Sequence, residues 1–172
     1  FYARSLFEVW GFDAVTVNPY LGRDAVEPFL EYTERGIFVL CRTSNPGARE
    51  FQDLVVTSGY QQESRPLYEW VAMQASAWAT HKNVGLVVGA TYPEQLKLVR
   101  DICPDMTILA PGIGAQGGDL RGTIQYGVNS DGAGLIINSS RGIIYASKDK
   151  NDFAKMARQA ADQLRSDINI YR

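Results

Sequence analysis

A chain of 172 residues, 45% hydrophobic and 21% charged, has the composition of an ordinary globular protein and the length for one substantial core, which excludes disordered and fibrous classes. A formal charge of -2 argues against a general nucleic-acid binder, so any anion site has to be local. No apolar segment approaches the roughly 20 residues that span a bilayer and the N-terminus lacks a signal-peptide pattern, so the expectation is a cytoplasmic protein that engages neither membrane nor nucleic acid.

In chain order, Tyr2 to Trp10 carries apolar residues at Tyr2, Leu6, Val9 and Trp10, a helical spacing that Gly11 closes. The sequence opens inside this helix on Phe1 rather than on an initiator Met, which predicts a start partway through a domain. Ala14-Val15-Thr16-Val17 reads as a strand and Asn18 to Gly22 as the loop after it. Asp24 and Glu27 then stand at capping-box spacing and predict a helix running to about Arg35, with Pro28 tolerated in its first turn. Ile37 to Cys41 is apolar throughout, as in a parallel strand covered on both faces, and the polar group Arg42-Thr43-Ser44-Asn45-Pro46-Gly47 follows at once.

Residues 51 to 64 read either as a hairpin or as an extended loop. Leu67, Trp70, Val71, Ala75 and Trp78 predict a long helix over Arg65 to His81. Leu86 to Val88 is the third strand, after which Thr91, Pro93 and Glu94 supply an N-cap, an early proline and a capping-box glutamate for a helix to about Cys103. Met106 to Leu109 and Leu135 to Ile137 are the last two strands, separated by a helix-poor connection from Leu120 to Gly134. A final helix, about Asp152 to Ile168, places Phe153, Met156, Ala157, Ala160, Ala161, Leu164 and Ile168 on one face. Strands alternating with helices predict a parallel α/β fold, either an open doubly wound sheet or a barrel.

The densest chemistry sits in Ala110-Pro111-Gly112-Ile113-Gly114-Ala115-Gln116-Gly117-Gly118-Asp119, directly after a strand. Glycine removes the Cβ and permits positive φ, so successive N–H groups can turn towards an anion, and Gln116 adds a side-chain donor. The next strand ends in Asn138-Ser139-Ser140-Arg141-Gly142, which brings a guanidinium. Two such loops after consecutive strands point to the phosphate site that (β/α)8 barrels build after strands 7 and 8. The visible strands are then 4 to 8, with three units upstream. Two other readings are that the glycines only make tight turns, or that Gly112, Gly114 and Gly117 form a dinucleotide fingerprint, against which no clear helix begins at the third glycine.

The remaining chemistry is sparse. Cys41 and Cys103 read as buried thiols, and His81, the only histidine, as a charge at a helix end or on the surface. No clustered set of ligand residues predicts a metal site.

The segments Thr16-Val17-Asn18-Pro19-Tyr20-Leu21-Gly22, Thr43-Ser44-Asn45-Pro46-Gly47, Gly85-Leu86-Val87-Val88-Gly89-Ala90-Thr91, Pro111 to Asp119 and Ser140-Arg141-Gly142-Ile143 resemble the orotidine 5′-monophosphate decarboxylases, most of all the longer bacterial branch of that family. The resemblance runs from near Phe1 to about Ala146. It implies a (β/α)8 TIM barrel, of which this chain holds about five βα units as the C-terminal part of a single domain. It also implies a cytoplasmic homodimer, when complete, that converts orotidine 5′-monophosphate to uridine 5′-monophosphate in pyrimidine biosynthesis without metal or organic cofactor. By the same resemblance Gln116 and Arg141 grip the 5′-phosphate, with Gly117, Gly118 and Ser140 lining it. Ser44 hydrogen-bonds the pyrimidine ring, and Pro111 begins a mobile loop that closes over substrate. Thr43 and Asn18 lie in matching motifs without an assigned role.

One departure matters. The family's catalytic constellation is an Asp-x-Lys-x-x-Asp segment after the third strand, with another lysine after the second, and no such segment occurs here. Asp149-Lys150-Asn151-Asp152 has the wrong spacing and stands before the final helix, where acidic residues and Asn act as caps. The expectation is that the catalytic residues lie upstream of Phe1. Alternatives are another phosphosugar barrel of epimerase or aldolase type, which needs an acid or Schiff-base lysine at a strand end that none of the visible strands has, and a non-catalytic phosphate-binding remnant.

Overall fold

The computed structural model describes residues 1–57, 63–114 and 118–172. A main sheet of five strands contains β1 (Ala14–Val17), β2 (Gly36–Arg42), β5 (Val84–Val88), β6 (Thr107–Pro111) and β7 (Leu135–Asn138), in that spatial order. Every neighbouring pair is parallel. The helices between them are α2 (Arg23–Leu30), α3 (Leu67–Trp78), α4 (Pro93–Ile102) and α5 (Leu120–Gly127), while α6 (Ser140–Ile144) and α7 (Phe153–Tyr171) follow β7. A doubly wound sheet reverses its strand order at a switch point. Among these five strands spatial order follows chain order without reversal, which is the arrangement of consecutive units of a (β/α)8 barrel.

Burial separates the two faces of the sheet. Val15, Val17, Ile37, Val39, Cys41, Leu86, Val88 and Ile108 are buried in one core with Val26, Ala72, Ala75, Leu96 and Val99 of the helices or beside them, and Ala110 of β6 is buried as well. Residues of the opposite face, such as Thr16, Phe38, Leu40, Thr107 and Leu109, are half-buried or exposed. The register aligns Thr16, Phe38, Gly85 and Thr107 across four strands. Gly85 is required there: a Cβ on it lies 2.7 Å from both Phe38 Cε1 and Thr107 O, so the Phe38 ring occupies the space of the missing side chain. Such inward layers fill the interior of a barrel of this type.

Several boundaries differ from the sequence reading. The first helix is a short α1 (Tyr2–Arg4) continued by a π-helix over Ser5–Val9. Helix α2 is capped by Gly22, whose φ is 90°, and ends at Leu30, so the Asp24 capping box does not form. Helix α4 is capped at Tyr92 rather than Thr91, with no side-chain cap bond. Residues 51–57 and 63–66 contain β3 (Val55–Thr57) and β4 (Ser64–Pro66), which pair antiparallel as the hairpin reading requires.

The main correction is α5, in the stretch expected to be helix-poor. Asp119 caps it, its Oδ1 accepting the Gly122 N–H at 3.0 Å. The glycines that weaken its helical pattern are the ones that let it pack closely. A Cβ at Gly122 comes 3.1 Å from Pro93, and one at Gly127 comes 3.0 Å from Leu135 and Leu96. Before α7, Asp149 Oδ1 accepts the Asn151 N–H at 2.9 Å, so the Asp149-to-Asp152 segment is a turn leading into the helix, but Asp152 stands at the N-cap without the expected side-chain cap bond.

At the N-terminal end of the strands, Arg100 of α4 is 7% exposed without a carboxylate partner among the described residues. Its guanidinium donates to the carbonyls of Cys103, Pro104, Met106, Gly127 and Gly134, at 2.6 to 3.1 Å. One side chain thus ties the C-termini of α4 and α5 to the starts of β6 and β7.

Candidate functional site

Because the five strands are parallel, the loops after Val17, Arg42, Val88, Pro111 and Asn138 meet at one end of the sheet. Active sites of barrels of this class are built there. A pocket of about 260 Å³ opens between the last two loops, lined by Pro111, Gly112, Ile113, Asn138, Ser139, Ser140 and Arg141. Three of the expected site residues, Pro111, Ser140 and Arg141, therefore share one cavity. Gln116 and Gly117 lie outside the described residues. Gly118 closes the base of the glycine-rich loop, its N–H donating to Gly112 O at 3.2 Å.

Glycine is needed at specific points of this loop. Gly112 and Gly114 have φ of 111° and 84°, which side chains rarely tolerate. A Cβ on Gly118 comes 2.7 Å from Gly112 O. Ser140 also lines the pocket, and its hydroxyl donates to Asn138 Oδ1 at 2.9 Å. Among the described residues no carboxylate lines this pocket, and Arg141 is exposed and has no ion-pair partner. The cavity is thus a polar, backbone-rich cleft with Arg141 in its lining, a combination suited to a small anion.

Ser44 lies outside the pocket but is joined to it by a continuous rim. The Gly89 N–H donates to Arg42 O at 2.7 Å and the Ala90 N–H donates to Pro111 O at 2.9 Å. The Ser44 backbone rests on Gly89, where a Cβ meets Ser44 Cβ at 2.7 Å and its Cα and N at 2.8 Å.

What fixes Ser44 was not visible in the motif. The register of β2 shifts between Leu40 and Arg42, so Cys41 and Arg42 are both buried although adjacent. Arg42, 1% exposed, makes a two-point bond to Asp53 at 2.7 and 3.1 Å and donates to Thr43 O at 2.6 Å. Its guanidinium also stacks 4.4 Å from the Tyr92 ring centre. Gln52 completes the clamp, its Oε1 accepting the Thr43 N–H at 2.8 Å. The sequence signal for this set was a single arginine ending an apolar strand; its partners lie beyond the motif.

Other candidate chemistry falls away. Cys41 and Cys103 are buried as expected, and burial pushes both thiols up from their ordinary range, so neither is a ready nucleophile. His81 is exposed in a turn. No group of three or more His, Cys, Asp and Glu side chains converges as a metal site among the described residues, and no helix among them is long and apolar enough to cross a membrane. A crevice of about 280 Å³ lined by Ile124, Val128, Leu135, Ile137, Ile168 and Arg172, with Gly132 to Gly134, lies between α5, β7 and α7, away from the strand C-termini. The structure removes the sequence argument against a dinucleotide reading, since α5 begins three residues after Gly117, but the unreversed order of the five described strands separates this site from a dinucleotide cradle.

Known proteins agree with this architecture. The orotidine 5′-phosphate decarboxylase / HUMPS family model matches residues 2–156. An orotidine 5′-phosphate decarboxylase of Thermomicrobium roseum is 54% identical over 172 residues, which is 99% of this chain and 59% of that protein. Among solved structures, Leishmania donovani OMP decarboxylase superposes with a TM-score of 0.81 at 38% identity over 96% of this chain and 61% of its own. Leishmania donovani UMP synthase does so with a TM-score of 0.83 at 40% identity over 99% of this chain and 35% of its own. The chain thus spans about three fifths of the curated relative it matches, 59% in the Thermomicrobium case. With the parallel strands, the loop pocket and the match over residues 2–156 in agreement, the chain belongs to the orotidine 5′-phosphate decarboxylase / HUMPS family.

Proposed function

We propose that this chain supplies the phosphate and pyrimidine loops of a carboxy-lyase that converts orotidine 5′-monophosphate to uridine 5′-monophosphate in pyrimidine biosynthesis. The observation that carries the reading is the pocket between the loops after β6 and β7, where Arg141 faces a glycine-rich backbone with no carboxylate. In this reading Arg141 and Gln116 hold the 5′-phosphate, with Gly117, Gly118 and Ser140 around it. Ser44 addresses the ring from the adjoining rim, and Pro111 starts the loop that closes over both.

The physical logic is that binding energy collected at the phosphate, remote from the bond that breaks, positions and encloses the ring. Loss of carbon dioxide leaves electrons on the ring carbon that must receive a proton. No lysine or carboxylate of residues 1–172 occurs in the Asp-x-Lys-x-x-Asp arrangement the resemblance calls for. The proton donor is therefore assigned to a segment outside these residues, and the complete protein is read as a cytoplasmic homodimer that needs no metal or organic cofactor.

The test uses an extended chain in which residues 1–172 follow the βα units that carry the Asp-x-Lys-x-x-Asp segment. It should consume orotidine 5′-monophosphate, read as absorbance loss, whereas residues 1–172 alone should not. In the extended chain Arg141→Ala should lower kcat/KM by roughly 30-fold to several thousand-fold, the effect of removing one partner of a charge pair. Near-normal kcat/KM in that variant overturns the phosphate assignment. Turnover by the 172-residue species alone overturns the division of labour.

A further inference from the structure

We propose that Ser139 is a positioning residue that sets the gap between the two loops of the phosphate pocket. The inference rests on the phosphate reading above but concerns a residue that reading does not use. Ser139 is 9% exposed, and its Oγ donates to Ile113 O at 2.9 Å. Among the described residues this is the one side-chain hydrogen bond from the loop after β7 to the loop after β6.

Both loops are cut away to admit that hydroxyl. A Cβ on Gly142 lies 2.7 Å from Ser139 Oγ, and one on Gly114 lies 3.2 Å from it. The hydroxyl is thus boxed between two glycines, one on each loop, with its proton committed to a carbonyl. It acts through its neighbours rather than on a ligand.

Those neighbours carry the grip. Ile143 N–H donates to Ser139 O at 3.1 Å, so Ser139 opens the turn that presents Ser140 and Arg141. Ile113 and Gly114 lead directly towards Gln116 in the sequence. The bond from Ser139 to Ile113 therefore joins the bases of the two arms that hold the phosphate, and a grip made from two arms depends on their spacing. A phosphomonoester is sensitive to that spacing, whereas a ligand without phosphate is not.

The experiment measures dissociation constants of the extended chain for uridine 5′-monophosphate and for uridine, with folding checked by circular dichroism. Ser139→Ala should weaken uridine 5′-monophosphate about tenfold, the effect of losing one buried hydrogen bond, and leave uridine within about twofold. Gly142→Ala should do the same, because its new methyl displaces the hydroxyl, and this variant carries the test if Ser139→Ala fails to fold.

The double variant discriminates further. With Oγ gone, a Gly142 Cβ meets only Ser139 Cβ at 4.0 Å, an ordinary contact, so the double variant should bind like Ser139→Ala alone. Additive losses, or equal losses for both ligands, overturn the positioning role. Arg141→Ala separates the two levels of argument. If it weakens uridine 5′-monophosphate while Ser139→Ala and Gly142→Ala do not, the inference alone fails. If Arg141→Ala has no effect, the phosphate reading fails and takes the inference with it.

Discussion

Replacing Gly89 by Ala tests whether the proposed pyrimidine and phosphate halves of the site are mechanically separate. The new methyl would sit 2.7 Å from Ser44 Cβ and 2.8 Å from Ser44 Cα and N, all of them backbone or backbone-anchored atoms. That is roughly 1 Å short of a comfortable carbon contact, and no rotamer change relieves it. The loop after β2 has to move, yet its base is held by Arg42 on Asp53 and by Gln52 on Thr43. Overpacking of this kind costs about 1 to 3 kcal/mol of stability. A displacement near 1 Å of a substrate-positioning hydroxyl costs up to about a hundredfold in rate. In the extended chain, kcat/KM for orotidine 5′-monophosphate should therefore fall by about ten- to a hundredfold. Affinity for inorganic phosphate, measured by titration calorimetry, should stay within about twofold, because the pocket beside Arg141 is lined by neither Gly89 nor Ser44. Activity within about twofold of the parent, or a parallel loss of phosphate binding, refutes the reasoning.

Three other predictions concern the scaffold. Arg100→Met should destabilise the extended chain by about 3 to 5 kcal/mol in urea denaturation, since carbonyls of five residues lose their shared donor; a loss below about 1 kcal/mol contradicts the keystone role. Asp53→Asn leaves the buried Arg42 with a neutral partner and should cost about 1 to 3 kcal/mol, discounted because Asp53 is one-third exposed; an unchanged urea midpoint refutes it. Burial raises the Cys41 and Cys103 thiols in the folded state, so that state holds its protons where the unfolded state releases them. Stability should be fully present below about pH 8.5 and decline above it, and urea midpoints that stay flat from pH 8 to 10 contradict this.

The strands were legible because their apolar runs leave little choice. Ala14 to Val17 coincides with β1, and Ile37 to Cys41 lacks only one residue at each end of β2. Helix α5 was not legible, because Gly122 and Gly127 lower helical propensity for the sake of packing against α4 and β7, a reason that exists only in three dimensions. The one-residue error at the start of α4 has a similar origin: Thr91 offers a capping hydroxyl, but the Leu96 N–H bonds to Tyr92 O. Ser139 carried no usable signal, because Leu135, Ile136 and Ile137 are all apolar in sequence and only their burial in the structure tells the two faces of the strand apart. Leu135 and Ile137 are the more buried residues of β7 and Ile136 and Asn138 the exposed ones, so period-two alternation puts Ser139, not Ser140, on the buried side. The pairing of Arg42 with Asp53 left no trace, since eleven residues separate them and several other acids lie within reach in sequence.

Three arginines near the ends of the strands show how surroundings sort one residue type into different work. Arg100 is buried among backbone carbonyls, and Arg42 is buried against a carboxylate and a tyrosine ring. Each has its donors committed inside the fold, so neither can turn to a ligand without breaking what it holds. Arg141 is exposed on a short helix beside the glycine-rich backbone, with no acid among the described residues that line the pocket. In the proposed reading an incoming dianion meets there a cation with no acid partner among the described residues, and the cost of desolvating that cation is offset only when the ligand itself is charged. On that reading this asymmetry, more than the glycine count, favours a phosphate over a neutral group. The same reading makes a rigid spacing between the loops matter, because a single exposed guanidinium discriminates weakly unless a second arm is fixed opposite it.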